Sequence, residues 1–297
     1  MDGGDARRIR DDARPQLPAR LRSRGGGIAY GEPLTTLRLT VEYDGTEFSG
    51  FQWQPDIRTV AGVLENALGR LFDENVKVTG AGRTDSGVHA TGQVVSLTTA
   101  SRFPFDRLLL ALRGLLPEDL SVRDATCVEE GFSARFSARE RTYVYAISNR
   151  SRCSALLARY AAQIMVPLDL EAMRDGAAHL SGEHDFRAFA AAGSEDRTIR
   201  RITRLEIQPQ GELIRIEVRA DGFLRHMVRT IVGTLVECGT GRRVPGDLPA
   251  ILAACDRAAA GATAPATGLY LAGVRYACGY DSFAEPPILS GYDSVSH

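Results

Sequence analysis

One short stretch of the sequence combines a carboxylate, a guanidinium and several small polar side chains. It runs from Gly80 to Gly92, and within it Asp85 follows two residues after Arg83. The other hydrogen-bonding groups nearby are Thr84, Ser86 and His89. Loops that a rigid scaffold positions commonly carry the chemistry of a protein. The stretch therefore predicts a site whose reagent is the carboxylate of Asp85.

The alternative for this stretch is a tight turn in which Asp85 caps the backbone and Arg83 is solvated, because Asp commonly forms turns. Four of the thirteen residues are glycine. Glycine allows positive φ values and close approach of the backbone to a ligand, at a cost in chain entropy. The length and glycine density favour a functional loop over a simple turn.

A basic and aromatic segment could supply a second part of the site. Arg135, Arg139 and Arg141 come directly before a strand that carries Tyr143 and Tyr145. Basic groups contact phosphates and flat rings stack on bases. The alternative is a solvated basic turn followed by two core tyrosines, since Tyr favours strands.

Two further segments could contribute. Arg225 and Arg229 are four residues apart, which places them on one face of a predicted helix beside an apolar side. A half-buried arginine needs an anion, and Asp85 would suit Arg229. The segment from Tyr43 to Gln54 contains the only tryptophan, Trp53, which could stack on RNA or anchor the loop in the core.

Other kinds of site find no support in the sequence. The histidines lack the spacing of metal ligands, there is no Cys-x-x-Cys pair, and no Gly-x-x-x-x-Gly-Lys loop is present for a nucleotide phosphate. We expect no metal and no serine triad, which leaves a lone carboxylate as the reagent. His184 and His226 are interpreted as structural hydrogen-bonding residues.

The composition is that of an ordinary globular protein of 297 residues, with 44% hydrophobic and 25% charged residues. The net charge is −1 and Lys77 is the only lysine, so the other full cations are arginines. Arginine binds phosphate and stacks on bases, but RNA binding would here need a local basic face. No apolar run suits a membrane span or a secretory signal. We expect a cytoplasmic protein whose scattered cysteines are reduced core residues.

Hydrophobic periodicity predicts the element order β-α-β-β-α-β twice, with one added helix in the second set. The first set comprises strands at 37–43, 76–79, 93–97 and 120–127, with a helix that Thr59 would cap and another over 105–116. The second set comprises strands at 142–147, 202–208, 213–219 and 270–276, with helices over 169–180, 224–237 and 248–255. This is an α+β fold of two ferredoxin-like halves with antiparallel sheets flanking a central cleft. The predicted domains are a disordered Arg/Gly-rich tail (1–34), two halves (35–141 and 142–282) and a flexible C-terminal tail (283–297).

The segment Gly82–His89 resembles the signature Gly-Arg-Thr-Asp-Ala-Gly-Val-His of the tRNA pseudouridine synthase A family. Other segments resemble the same family in unbroken order, over roughly residues 36–280. They are 132–145, 182–186, 227–233 and 264–271. Ser86 departs from the usual alanine, Ser133 from histidine and Phe51 from tryptophan, and the last two departures put substrate contacts in doubt more than chemistry.

The resemblance implies a pseudouridine synthase fold and an isomerase that converts uridine to pseudouridine at positions 38–40 of the tRNA anticodon arm. It also implies a homodimer, no cofactor and no metal. Asp85 would be the essential aspartate, which attacks the ribose C1′ or the uracil C6, or assists a glycal route. Tyr143 would stack on the uracil and help to remove the C5 proton, and Arg229 would keep Asp85 ionised and oriented.

Base flipping is easiest near a loop or stem end, and Arg83 would fill the vacated stack or hold a phosphate. The residues assigned to substrate binding are Arg83, Tyr143, Arg229, His89, Arg135 and Arg225. One rival hypothesis is a non-catalytic RNA-binding or RNA-folding protein of the same fold. A second is a small-molecule glycosidase, which would normally need another carboxylate as the acid.

Overall fold

The computed structural model describes residues 34–193, 197–277 and 279–290. The predicted N-terminal tail lies outside these residues except for Leu34, and so do residues 291–297 of the predicted C-terminal tail. Residues 283–290 of that tail are described: the Ala284 N–H donates to Ala272, and Leu289 is only 1% exposed.

The first half has the predicted element order. It comprises β1 (Thr35–Tyr43), α1 (Val60–Phe72), β2 (Thr79–Gly80), β3 (His89–Thr99), α2 (Leu108–Arg113) and β4 (Leu120–Val128). Thr59 caps α1 as predicted, because its hydroxyl accepts the Gly62 N–H at 3.2 Å. The strands lie in the order β4-β1-β3, with β2 paired to part of β3.

The second half repeats this arrangement with additions. It comprises β5 (Ala138–Ser148), β6 (Ala162–Gln163), α3 (Leu170–Ala178), β7 (Gly182–Asp185), β8 (Ile199–Gln210), β9 (Leu213–Ala220), α4 (Met227–Gly239), α5 (Leu248–Ala254), β10 (Leu269–Tyr276) and β11 (Ser282–Phe283). Its strands follow the order β10-β5-β9-β8-β7. The order β4-β1-β3-β2 in the first half therefore corresponds to the order β10-β5-β9-β8 in the second half, as expected for two ferredoxin-like units.

The two half-sheets join through a short parallel pairing of β3 with β10. Tyr270 lies opposite His89 and Leu271 opposite Ala90. A Cβ on Gly92 would lie 2.1 Å from the Ala272 carbonyl oxygen, so only glycine permits this crossing. Further along β3, the same edge pairs with β2 instead. Residues 81–88, here called the seam loop, therefore leave the sheet where the halves part.

One hydrophobic cluster packs the helices against a single face of the sheet, and Tyr143, Tyr145 and Ile147 of β5 belong to it. The alternate residues Val144 and Ala146 belong to a separate cluster. The three residues therefore share one face of β5, and this face points Tyr143 to the same side as the start of α4.

Several predicted boundaries were wrong. The strand predicted at 76–79 is reduced to Thr79–Gly80, because the Val78 N–H donates to the Glu65 carboxylate rather than to a strand. The helix predicted from residue 224 begins at Met227, because His226 has a left-handed φ of 64°. Arg225 therefore does not share a helix face with Arg229. The helix predicted over 105–116 is a 3-10 turn followed by α2.

The division at residue 141 falls inside β5, and the described residues from 34 to 290 group as one compact unit. The division into two domains thus stays a prediction, whereas the α+β class of two ferredoxin-like halves is confirmed. Among the cysteines, Cys238 is buried, but Cys127 and Cys153 are exposed free thiols, which corrects the prediction that all are core residues. Cys278 lies outside the described residues.

Candidate active site

The seam loop is held firmly at its start. The buried amide of Gln93 donates to the Gly82 carbonyl at 2.7 Å and accepts the Gly82 N–H at 3.4 Å. The Thr84 hydroxyl pairs with the Tyr43 hydroxyl at 2.8 Å, and the Thr84 carbonyl accepts the Phe51 N–H at 3.0 Å. These contacts fix the backbone on both sides of Arg83. They also hold Asp85, which follows Thr84, in a defined direction.

The glycines in and beside the seam loop allow an unusual backbone conformation and close packing against aromatic side chains. Gly87 has a φ of 77°, which favours glycine. A Cβ on Gly80 would lie 2.6 Å from the ring of Phe51, and one on Gly82 would lie 3.4 Å from the Tyr143 hydroxyl. Phe51 is only 2% exposed and anchors the neighbouring loop in the core, whereas Trp53, for which core anchoring was the alternative, is 48% exposed.

The Asp85 carboxylate meets two side chains from the second half. Arg229 Nη1 lies 3.3 Å from Oδ2 of Asp85, and His226 Nε2 lies 3.5 Å from the same oxygen. Arg229 is oriented because its Nε donates to the Ala264 carbonyl at 2.8 Å. The other carboxylate oxygen, Oδ1, has no hydrogen-bond partner among residues 34–193, 197–277 and 279–290. The predicted pairing of Arg229 with Asp85 is therefore seen in the structure.

His226 reaches the carboxylate from an unusual backbone position. It precedes α4 with a φ of 64°, which few residues other than glycine adopt. Partial burial lowers the pKa of His226 from 6.5, and the nearby arginines act in the same direction while Asp85 opposes them. The ring is therefore neutral at neutral pH. The sequence predicts a structural role for His226, and its position three residues before Arg229 is the one signal there for a role at the site.

Tyr143 forms another wall of the site. It is 7% exposed, and its ring packs edge to face on Phe223 with centroids 5.0 Å apart. Burial raises the pKa of Tyr143, and the charge of Asp85 adds to this effect. The phenol is therefore protonated at neutral pH. The structure brings Tyr143, Asp85 and Arg229 together as the sequence predicts.

Arg141 faces inward rather than toward solvent. Its Nε and Nη2 both donate to the Ala81 carbonyl at 3.1 Å. Its Nη2 also donates to the Arg135 carbonyl at 2.6 Å, and its Nη1 to the Asp221 carbonyl at 2.8 Å. Arg141 thus ties the seam loop to the segment before β5 and to the turn before α4. In the sequence Arg141 is one of three arginines before a strand, and nothing in that segment predicts these contacts with carbonyl groups.

The remaining predicted residues lie outside this group. Arg83 is exposed on the seam loop, and its side chain pairs with no group in the described part of the chain. Arg135 is exposed with its guanidinium 5.4 Å from the Phe136 ring centre, and Arg225 is exposed just before His226. These three guanidinium groups remain predicted substrate contacts.

His89 contacts a different part of the protein. It is 2% exposed, accepts the Gly45 N–H at Nδ1 at 3.0 Å, and has Nε2 2.9 Å from the Arg159 carbonyl. Its ring stacks on Tyr270, and it lines a separate cavity of about 320 Å³. Burial lowers the pKa of His89. Its contacts hold the junction of β3 and β10 and do not include Asp85, so its substrate-binding role stays a prediction.

Within residues 34–193, 197–277 and 279–290, no three metal-ligating side chains cluster. In the same part of the chain, no helix has the length and apolar character needed to cross a membrane.

Comparison with known proteins identifies the relatives of this chain. A family model described as tRNA pseudouridine synthase matches residues 39–137 and 177–277. The chain belongs to the tRNA pseudouridine synthase family. Membership confirms the resemblance read from the sequence and the predicted isomerase class, and the two matched ranges contain Asp85 and Arg229.

Individual relatives in the family match over almost their whole length. The tRNA pseudouridine synthase A of Brevibacillus brevis is 46% identical over 242 residues, which cover 81% of this chain and 99% of that protein. That of Moorella thermoacetica is 46% identical over 243 residues, covering 81% and 99%. Among solved structures, a chain of the archaeal box H/ACA sRNP Nop10-Cbf5 complex is 13% identical with a TM-score of 0.31, covering 68% of this chain and 43% of that one. So weak a likeness carries no argument.

Proposed function

We propose that this protein isomerises uridine to pseudouridine at positions 38–40 of the tRNA anticodon arm, with Asp85 as the catalytic residue. The observation that carries the proposal is the pairing of Asp85 Oδ2 with Arg229 Nη1 at 3.3 Å, formed between the two halves of a family member. The relatives are tRNA pseudouridine synthases, and this supports tRNA as the substrate. The resemblance of the signature segments supports the anticodon arm as the place where uridine is modified.

The proposed reaction exchanges one bond for another. The bond from ribose C1′ to uracil N1 breaks, a bond from C1′ to C5 forms, C5 loses a proton and N1 gains one. Atoms and electrons balance without an outside oxidant or reductant. Asp85 acts by attack on C1′, by attack on C6 or by assisting a glycal route, and its unpaired Oδ1 is the oxygen available for each of them.

The other residues have separate proposed tasks. Tyr143 stacks on the free uracil while the base turns, and its position beside Gly82 is suited to this. The protonated state of its phenol favours stacking and hydrogen bonding; the Tyr143 hydroxyl would take the C5 proton only after losing its own. Arg83, Arg135 and Arg225 contact phosphates of the tRNA, since Arg matches phosphate geometry well.

We also propose that the enzyme works as a homodimer in the cytoplasm, where its tRNA substrate is found. The resemblance supports the dimer, and the tRNA substrate supports the compartment. Sedimentation of the purified protein tests the dimer directly.

The proposal is tested by incubating the protein with unmodified tRNA transcripts and mapping pseudouridine by mass spectrometry. We expect modification confined to positions 38–40 and abolished in transcripts that carry cytidine there. Binding of the anticodon arm without modification would favour the non-catalytic RNA-binding reading. Release of free uracil would favour a glycosidase.

A further inference from the structure

His226 and Arg229 approach the same oxygen of Asp85. The distances are 3.5 Å from His226 Nε2 and 3.3 Å from Arg229 Nη1, both to Oδ2. Contacts of this kind are often long without substrate and shorten in the reacting complex. Arg229 donates a hydrogen bond to Oδ2 and His226 lies beside the same oxygen, so Oδ1 is the oxygen without a hydrogen bond in the described part of the chain.

We infer that His226 is a positioning residue. In the reacting complex its Nε2–H donates a hydrogen bond to Oδ2 of Asp85, which leaves Oδ1 as the reacting oxygen. This inference rests on the proposed function, because it concerns the same carboxylate. Nothing in the sequence signature assigns a role to His226.

The backbone at His226 is the second observation that supports this role. A φ of 64° is strained for a residue with a side chain, and strain of this kind collects at functional sites. The left-handed residue ends the segment that contains Phe223 and lets α4 begin at Met227. It thereby brings the imidazole and the Arg229 guanidinium to one side of the seam loop.

The charges around His226 support a neutral donor. Asp85 on the seam loop is the acidic group that acts on it, and Arg225, Arg229 and Arg257 are the cations that act on it. Three cations and partial burial oppose a further positive charge. A neutral ring can donate one hydrogen bond to Oδ2 without adding a second full cation beside the carboxylate, which would weaken Asp85 as a nucleophile or base.

Two substitutions separate the ring from the backbone. His226→Gly removes the imidazole and fits a φ of 64° without strain, so folding should be retained. His226→Asn keeps a neutral N–H donor on a residue that tolerates left-handed conformations. His184→Asn is a matched control, because His184 Nε2 lies 2.9 Å from the Ser181 carbonyl and has no contact with Asp85.

We expect His226→Gly to lower kcat by about tenfold to a hundredfold, the effect of losing one hydrogen bond to a charged group, with KM changed less than about twofold. His226→Asn should restore most of kcat. The wild type should lose kcat as pH falls below 6.5 and the ring gains a proton, and His226→Asn should lose this part of the pH profile. An unchanged kcat in His226→Gly, or a loss that Asn does not rescue, would overturn the inference.

An NMR titration of His226 tests the pairing even if the protein modifies no tRNA. Because the Asp85 charge raises the pKa of His226, Asp85→Asn should lower that pKa further. An unchanged His226 titration would overturn the inference independently of the proposed function. Absence of pseudouridine in the wild type together with a shifted titration would refute the proposed function alone.

Discussion

Arg229 Nη1 lies 3.3 Å from Oδ2 of Asp85, although the two residues are 144 positions apart in the chain. One belongs to the start of α4 and the other to the seam loop between β2 and β3. The contact exists because β3 and β10 join the half-sheets beside that loop. The site is therefore formed by both halves, and neither half alone contains the pair.

Replacing Arg229 tests this pair. Arg229→Ala should reduce kcat by about a hundredfold or more, since it removes a charge-assisted contact beside the reacting carboxylate. The dissociation constant for tRNA should change far less, because Arg229 is mostly covered. Single-turnover rates and filter binding measure the two effects. An equal loss of rate and affinity would contradict the pairing role.

Arg229→Lys is the matched variant for the same test. Lysine keeps the charge, but its single ammonium cannot reproduce the guanidinium that contacts the Ala264 carbonyl and Asp85 through separate nitrogens. We expect a kcat between those of the wild type and Arg229→Ala. A wild-type rate in Arg229→Lys would show that charge alone suffices.

Arg141 tests the fixation of the seam loop. Arg141→Lys keeps the charge but cannot reach the carbonyls of Ala81, Arg135 and Asp221 together, so kcat should fall about tenfold. Arg139→Lys, on an exposed residue of the same segment, is the control and should retain its rate. If Arg141→Lys weakens only tRNA binding at low salt, Arg141 acts as a phosphate contact instead.

Arg83 tests the proposed contact with RNA. Arg83→Ala should weaken tRNA binding and reduce the slope of log affinity against log salt by about one, as expected for one lost phosphate contact. Exposed Arg113 at the end of α2 offers a control, since Arg113→Ala should leave the slope unchanged. A loss of kcat without a change in salt slope would instead indicate that Arg83 fills the vacated stack.

Much of the site could be read from the sequence, because its parts carry local signals. Asp85 lies in a polar, glycine-rich loop. Arg229 lies beside apolar residues of a helix, where a half-buried guanidinium needs an anionic partner. Thr59 caps α1 as its residue type predicts. Each of these conclusions depends on a few neighbouring residues and on general preferences.

The parts that the sequence did not reveal depend on long-range packing or on backbone conformation. The pairing of β3 with β10 brings together residues such as His89 and Tyr270, and periodicity does not specify partners so distant. His226 adopts a left-handed φ without being glycine, so nothing in the sequence shows that α4 begins only after it. In the sequence Arg141 resembles the exposed Arg135 and Arg139. Its contacts with three carbonyl groups depend on the folded structure.

The most direct test of the account replaces the carboxylate itself. Asp85→Asn keeps the size of the side chain but removes the charge that Arg229 meets, and exposed Asp175→Asn on α3 is the control. Both variants should bind tRNA as the wild type does. Pseudouridine formation in a single-turnover assay should be lost in Asp85→Asn and normal in Asp175→Asn. Pseudouridine formed by Asp85→Asn at the wild-type rate would contradict the catalytic role of Asp85.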